Sequence, residues 1–266
     1  MPKLPYYHVD AFAERPFTGN QAAVMPLESW PDDDVLRAIG EENNFAETAF
    51  YVPDHSGEAD YELRWFTPTD EIRLCGHATL ASGHILLTEN PDLDRVRFRT
   101  RKAGVLEVSR VGDRYAVALP ANAPEPAAFP EAEAALGGKL LETHRHPDHY
   151  NVFLYETAEE ILNLDPDIRA LGALGDDSFT VTAPGVDTDI VSRVFVPGAG
   201  VDEDSVTGSA HSVLTPFWAK RLGRDSFTAY QASKRGGYLS CRLDGDRAIL
   251  IGDCVTVVAG SFTIPD

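Results

Sequence analysis

Three short motifs occur twice in this chain, in the same order and at nearly constant spacing. Trp65-Phe66-Thr67-Pro68 is answered by Val194-Phe195-Val196-Pro197, with 129 residues between the two phenylalanines. Cys75-Gly76-His77-Ala78 is answered by Thr207-Gly208-Ser209-Ala210 after 132 residues, and Gly112-Asp113-Arg114 by Gly245-Asp246-Arg247 after 133. Ordered matches with so little drift imply a duplicated unit about half the chain long, which settles the architecture before any single strand is assigned. The repeat places one domain at residues 1–121 and a second at 131–266, with the last strand, about 256–266, packing back on the first. Pro120–Pro130 carries four prolines in eleven residues and reads as the linker between them.

Within the first copy, short strands are expected at Tyr7–Phe12, Ala22–Met25, Thr48–Val52 and Tyr61–Phe66. Val96–Arg99, Val105–Arg110 and Tyr115–Leu119 form a further strand run, with a Gly-Asp turn in it. Asp33–Asn43 reads as a helix with Val35, Leu36 and Ile39 on one face. The segments Ala78–Leu87 and Ala210–Leu222 are helical in composition but apolar on most faces. A helix apolar nearly all round is a buried one. The expected fold is therefore α+β, a sheet wrapped round a central helix, made twice.

Composition narrows the function. Acidic residues number 42 against 23 basic ones, a formal net charge of −19. The excess is spread over both halves. Such a surface repels phosphate backbones and anionic headgroups, which argues against nucleic-acid or membrane-surface binding. The acids are rich in Asp and Lys is scarce beside Arg, a balance suited to high salt or equally to an ordinary acidic enzyme. Cys75, Cys241 and Cys254 make neither a disulfide framework nor a metal-type Cys-x-x-Cys pair. His144-Arg-His146-Pro-Asp-His149 has only loose metal-like spacing. The N-terminus has no signal-peptide pattern and no apolar run reaches a membrane span, so a cytoplasmic protein is expected.

Each central helix starts just after Cys75-Gly76 or Thr207-Gly208. Helix starts leave backbone N–H groups unpaired and carry partial positive charge, so they hold carboxylates well, and glycine lets a ligand approach. The alternative is ordinary capping by Thr207 or Ser209.

Four blocks carry a family resemblance: Phe17-Thr18-Gly19-Asn20-Gln21-Ala22-Ala23-Val24, Asn44-Phe45-Ala46-Glu47-Thr48-Ala49-Phe50, Cys75-Gly76-His77-Ala78-Thr79-Leu80-Ala81 and Glu203-Asp204-Ser205-Val206-Thr207-Gly208-Ser209-Ala210-His211. In this combination and order the chain resembles the PhzF (phenazine biosynthesis-like) isomerase family, whose fold is that of diaminopimelate epimerase. The resemblance implies two pseudo-symmetric domains, an active site in the cleft between them, no metal or organic cofactor, and commonly a homodimer.

Glu47 lies in an otherwise uncharged stretch, where desolvation would favour general acid–base work; a solvated strand-edge Glu is the alternative. The resemblance makes Glu47 the proton-shuttling base, puts His77 in the substrate pocket, and assigns Asp204 and Ser209 to the site. Asn20, Gly76, Thr207 and Gly208 are the further substrate-binding candidates. Cys75 at a helix start could be a base or nucleophile, but its counterpart is Thr207, so a two-thiol racemisation is unsupported and a small buried residue is the plainer reading. Ser205 stands where many relatives have proline, which leaves the aim of Asp204 less restrained. The expected activity is a cofactor-independent proton shift or epimerisation on a small carboxylate-bearing substrate. A family member that has lost catalysis and serves in ligand binding is the alternative from another class. A thiol hydrolase using Cys75 and His77 is the third.

Overall fold

The computed structural model describes residues 1–264. It divides into two compact units, Met1–Ala118 with the segment from Ile251 onward, and Leu119–Leu250.

The first unit begins with β1 (Lys3–Ala11), β2 (Asn20–Pro26) and helix α1 (Asp33–Asn43). It continues through β3 (Glu47–Pro53), β4 (Tyr61–Phe66), the two-residue β5 (Glu71–Ile72) and helix α2 (Gly76–Glu89). It closes with β6 (Arg95–Thr100), β7 (Val105–Val111) and β8 (Arg114–Pro120). The second unit runs β9 (Glu125–Pro126), α3 (Pro130–Leu136), β10 (Leu140–Arg145), β11 (Tyr150–Tyr155), α4 (Ala158–Asn163) and α5 (Ile168–Gly172). Then follow β12 (Ser178–Pro184), β13 (Ile190–Val196), β14 (Val201–Asp204), α6 (Gly208–Leu222), β15 (Ser226–Gln231), β16 (Gly237–Asp244) and β17 (Arg247–Gly252). The last strand, β18 (Cys254–Thr263), pairs antiparallel with β1.

The duplication is visible in the strand pairings. In the first unit β1–β2 is antiparallel, β2–β3 parallel, β3–β4 and β4–β5 antiparallel, β4–β6 parallel and β6–β7 antiparallel. In the second unit β10–β11 is antiparallel, β11–β12 parallel, β12–β13 and β13–β14 antiparallel, β13–β15 parallel and β15–β16 antiparallel. Both series carry the two parallel steps at the same places. The fold is α+β with a mixed sheet.

The two motif-bearing helices are the buried ones. Every residue of α2 from Gly76 to Leu87 is buried, and the helix packs against β1, β2, β3, β6, β7 and β18. In α6 only Ser209, Pro216 and the last three residues escape burial. Both helices start two residues before the apolar run that marked them in the sequence, at the glycines. The remaining helices cover other apolar surface. Leu36 and Ile39 of α1 pack with Met25, Phe50, Val52 and Phe66. In the second unit Leu136 and Ile161 pack with Phe153, Phe179 and Phe195.

The proline-rich stretch is more ordered than the linker expected there. Glu125 and Pro126 pair with Arg145 and His144. Pro130 occupies the first position of α3, where a missing N–H is harmless. Proline is excluded from sheet centres and helix interiors, but strand edges and helix starts accept it.

Gly83 sits inside α2, where glycine is normally a weak choice. A Cβ built there would lie 2.3 Å from Val108 Cγ1 of β7. Gly-to-Ala in a helix interior ordinarily gains up to about 1 kcal/mol. Here Gly83→Ala should instead destabilise by about 1–3 kcal/mol through overpacking. The double variant Gly83→Ala/Val108→Ala should be more stable in urea unfolding than the sum of the single effects allows.

Candidate functional site

In the first unit, the turn at Phe17-Thr18-Gly19-Asn20 delivers Asn20 to the first position of β2. Gly19 makes this possible: its φ is +64°, and a Cβ there would be 2.2 Å from the Ala11 carbonyl oxygen. β3 starts at Glu47, paired in parallel with Ala22. Cys75 is the N-cap residue of α2 and His77 lies in its first turn. These elements bring four sequence-predicted residues together. His77 Nε2 is 3.0 Å from Glu47 Oε2. His77 Nδ1 is 3.2 Å from Asn20 Nδ2 and 3.5 Å from Cys75 Sγ. His77 is buried at 3% exposure, whereas the Glu47 side chain keeps 17%. Glu47 is thus neither an exposed strand-edge carboxylate nor a sealed core residue.

The protonation of this cluster follows from its burial. Burial of His77 disfavours its charged form, but the Glu47 carboxylate beside it holds the imidazole well above 6.5, an effect the Cys75 sulfur strengthens when it is ionised. Burial and the Glu47 charge push the Cys75 thiol up to about 11. Cys75 is therefore a protonated thiol at neutral pH, which removes it as a ready nucleophile. The Asn20 contact changes polarity with the ring. A neutral Nδ1 accepts from the Asn20 amide, and an imidazolium donates to it through the carbonyl end.

Neither central helix is capped by its N-cap side chain. Thr207 holds the N-cap position of α6, yet its hydroxyl donates to Asp204 Oδ2 at 2.5 Å. The capping role expected for Thr207 or Ser209 is therefore not what Thr207 does, because the nearer carboxylate takes its hydroxyl. Thr79 and His211, each four residues past the N-cap, return a side-chain bond to the N-cap carbonyl, at 2.5 Å to Cys75 and 2.9 Å to Thr207. This leaves the first-turn N–H groups of both helices uncapped by N-cap side chains, as an anion site requires.

Ser205 tightens the second unit's site residue where it was expected to loosen it. Its N–H, which proline would lack, donates to Asp204 Oδ1 at 2.9 Å. A residue that sequence reasoning missed completes the turn. Gln231, fully buried at the end of β15, donates to the Asp204 carbonyl at 2.8 Å and accepts from the Thr207 N–H at 2.8 Å. Nothing in the sequence pointed to it, since it lies 27 residues beyond Asp204. His211 was also passed over. Burial pushes it down to about 4, so it is neutral. Ser209, the second residue of α6, is half-buried.

The scattered histidines form no cluster. His144 meets Glu142 at 2.8 Å, while His149 meets Asp177 at 3.4 Å. Among the described residues, the metal-competent group of side chains is Glu47, Cys75 and His77. No helix is long and apolar enough to cross a membrane among the described residues.

Comparison with known proteins agrees with the four motif blocks. Residues 9–260 match the model of a family described as phenazine biosynthesis-like protein. An uncharacterized isomerase of Pseudomonas aeruginosa is 44% identical over 98% of this chain and 99% of its own. A crystal structure of a PhzF-family protein from Enterococcus faecalis superposes with a TM-score of 0.90 at 40% identity, covering 99% of this chain and 100% of the other. A hydroxyproline epimerase from Agrobacterium vitis shares the fold at a TM-score of 0.66 with 12% identity, covering 99% and 93%.

Two outcomes are expected from these contacts. Glu47→Gln should lower the His77 pKa, read by NMR titration of the ring. Because the folded pKa is raised, the ion pair's stabilisation is complete below the unfolded value of about 6.5 and fades as pH rises through the folded value. The variant's stability deficit should accordingly be largest near pH 6 and shrink toward alkaline pH. Gln231→Leu strands the buried Thr207 N–H and should cost about 1–3 kcal/mol in denaturant unfolding. No loss in that variant would remove Gln231 as the support of the turn.

Proposed function

The chain belongs to the phenazine biosynthesis-like family, and from that premise we propose that it is an isomerase that moves a proton on a small carboxylate-bearing substrate without an organic cofactor or metal. The contact that carries this reading is the 3.0 Å pair of Glu47 and His77, in which the carboxylate alone keeps appreciable exposure. In the proposed step Glu47 takes a proton from a carbon made acidic by its neighbouring groups. The C–H electron pair passes into an enolate, and the proton returns at the same or another carbon. His77, charged and buried, fixes the carboxylate and offers a positive charge beside it. The uncapped first turn of α2 supplies N–H donors for a substrate carboxylate or the developing enolate, and α6 begins in the same uncapped way in the second unit. Asn20, Gly76 and Cys75 accompany Glu47 and His77 in the first unit, and Asp204, Thr207, Gly208 and Ser209 are the substrate-binding candidates of the second. The fold shared with an epimerase sets the scaffold and not the reaction.

Glu47 is already engaged by His77, which also suits a chain that binds its ligand without turning it over. Incubation in D₂O with a panel of cyclic and amino-acid carboxylates separates the two. The isomerase reading expects deuterium wash-in that Glu47→Gln reduces by about 10²–10⁴-fold. Wash-in unchanged by Glu47→Gln removes Glu47 from the chemistry. Binding without any wash-in favours the ligand-binding reading.

A further inference from the structure

We propose that Glu47, Cys75 and His77 form a binding site for a thiophilic divalent cation, best matched by Zn²⁺, and that a metal bound there blocks the residues' acid–base use. One ligating atom from each of the three side chains lies within 4.8 Å of the other two. Zinc takes thiolate at about 2.3 Å and imidazole or carboxylate at about 2.0–2.2 Å, so ligands around it sit roughly 3.3–3.8 Å apart. The Glu47–His77 contact of 3.0 Å, made through Nε2, lies near that spacing, whereas the 3.5 Å contact of Cys75 is with the other ring nitrogen, so the sulfur must close toward Nε2 for the ion to bind.

A second observation points the same way. Glu47 Oε2 and His77 Nε2 are buried and face each other at 3.0 Å as an ion pair, with no further hydrogen-bond partner among the described residues. A divalent cation bound between them would take the place of the Nε2 proton and keep both buried atoms satisfied.

The donor set selects the ion. One sulfur, one nitrogen and one oxygen suit Zn²⁺ or Cd²⁺, whereas Mg²⁺ and Ca²⁺ require several oxygens. All three side chains stand on regular elements, at the start of β3 and the start of α2. Asn20 sits where it can hold the ring nitrogen that the metal does not use, as metal-bound imidazoles require. On binding, the Cys75 S–H and His77 Nε2–H bonds break, S–Zn and N–Zn bonds form, and both protons leave to solvent; nothing is oxidised or reduced. The blocking effect rests on the isomerase reading above, but the binding itself does not, and it is measured without substrate.

The test is titration of the reduced, chelator-treated full-length chain with ZnCl₂ by calorimetry, and with CdCl₂ by ultraviolet absorption. The expected result is saturation at one ion per chain with a thiolate-to-cadmium charge-transfer band. Cys75→Ser and His77→Gln should each weaken binding by about 10–100-fold, Cys254→Ser should leave it unchanged, and MgCl₂ should give no binding heat. Saturable binding that survives Cys75→Ser, or the absence of saturable binding, overturns the proposal. In the wild-type chain, where folding is not in question, one equivalent of Zn²⁺ should slow iodoacetamide labelling of Cys75 but not of Cys254. Equal slowing of both thiols, or of neither, is also contrary.

Discussion

A helix without a polar face cannot lie at a water boundary, and α2 has none: twelve consecutive residues are buried. Everything around it follows from the need to enclose it. Strands β1, β2, β3, β6 and β7 all lean on it. An enclosed helix still has to begin somewhere, and its first-turn N–H groups cannot be met by the strands that wrap its sides. The chain resolves this by starting the helix on glycine with no N-cap side-chain bond and by setting His77, Glu47 and Asn20 about that start. The same constraint operates at α6, where Asp204, Thr207 and Gln231 take the corresponding places. The polar side chains about α2 therefore gather at its start, since its sides are enclosed by apolar packing.

The two copies answer one structural problem with different chemistry. The first assembles ionisable groups, and the second assembles a turn of hydrogen bonds held by a buried amide and a neutral histidine. A net charge of −19 is distributed over both halves, so any local attraction for an anion has to come from groups such as these. A carboxylate ligand would be met by oriented N–H groups and by the His77 charge, at distances too short for the general surface field to oppose.

Much of this was legible in the sequence, and the boundary between legible and hidden is physical. Tyr61–Phe66 and Asp33–Asn43 are strand and helix at the residues their periodicity marked. The apolar runs after Gly76 and Gly208 announced buried helices because full-circumference hydrophobicity has no other explanation. The repeat was legible because its markers sit at strand ends, turns and helix starts, where few residue types fit. Partnerships between distant residues were not. That Glu47 meets His77 depends on β3 lying parallel to β2 beside the start of α2, and no local pattern encodes that distance. Gln231 was invisible for the same reason, since a single amide in a strand has no periodic signature. The proline-rich stretch misled because proline's exclusion from element interiors was taken as exclusion from elements, whereas Pro126 and Pro130 sit at an edge and at a helix start.

Gly83 gives the site a mechanical property. The flank of β7 is pressed against its bare α-carbon, so α2 lies closer to the sheet there than any residue with a side chain would allow. The helix is keyed to the sheet like a shaft in a slotted collar, six residues away from His77. The seat of α2, and with it the place of His77, thus depends on a residue with no side chain as well as on the residues that touch the imidazole.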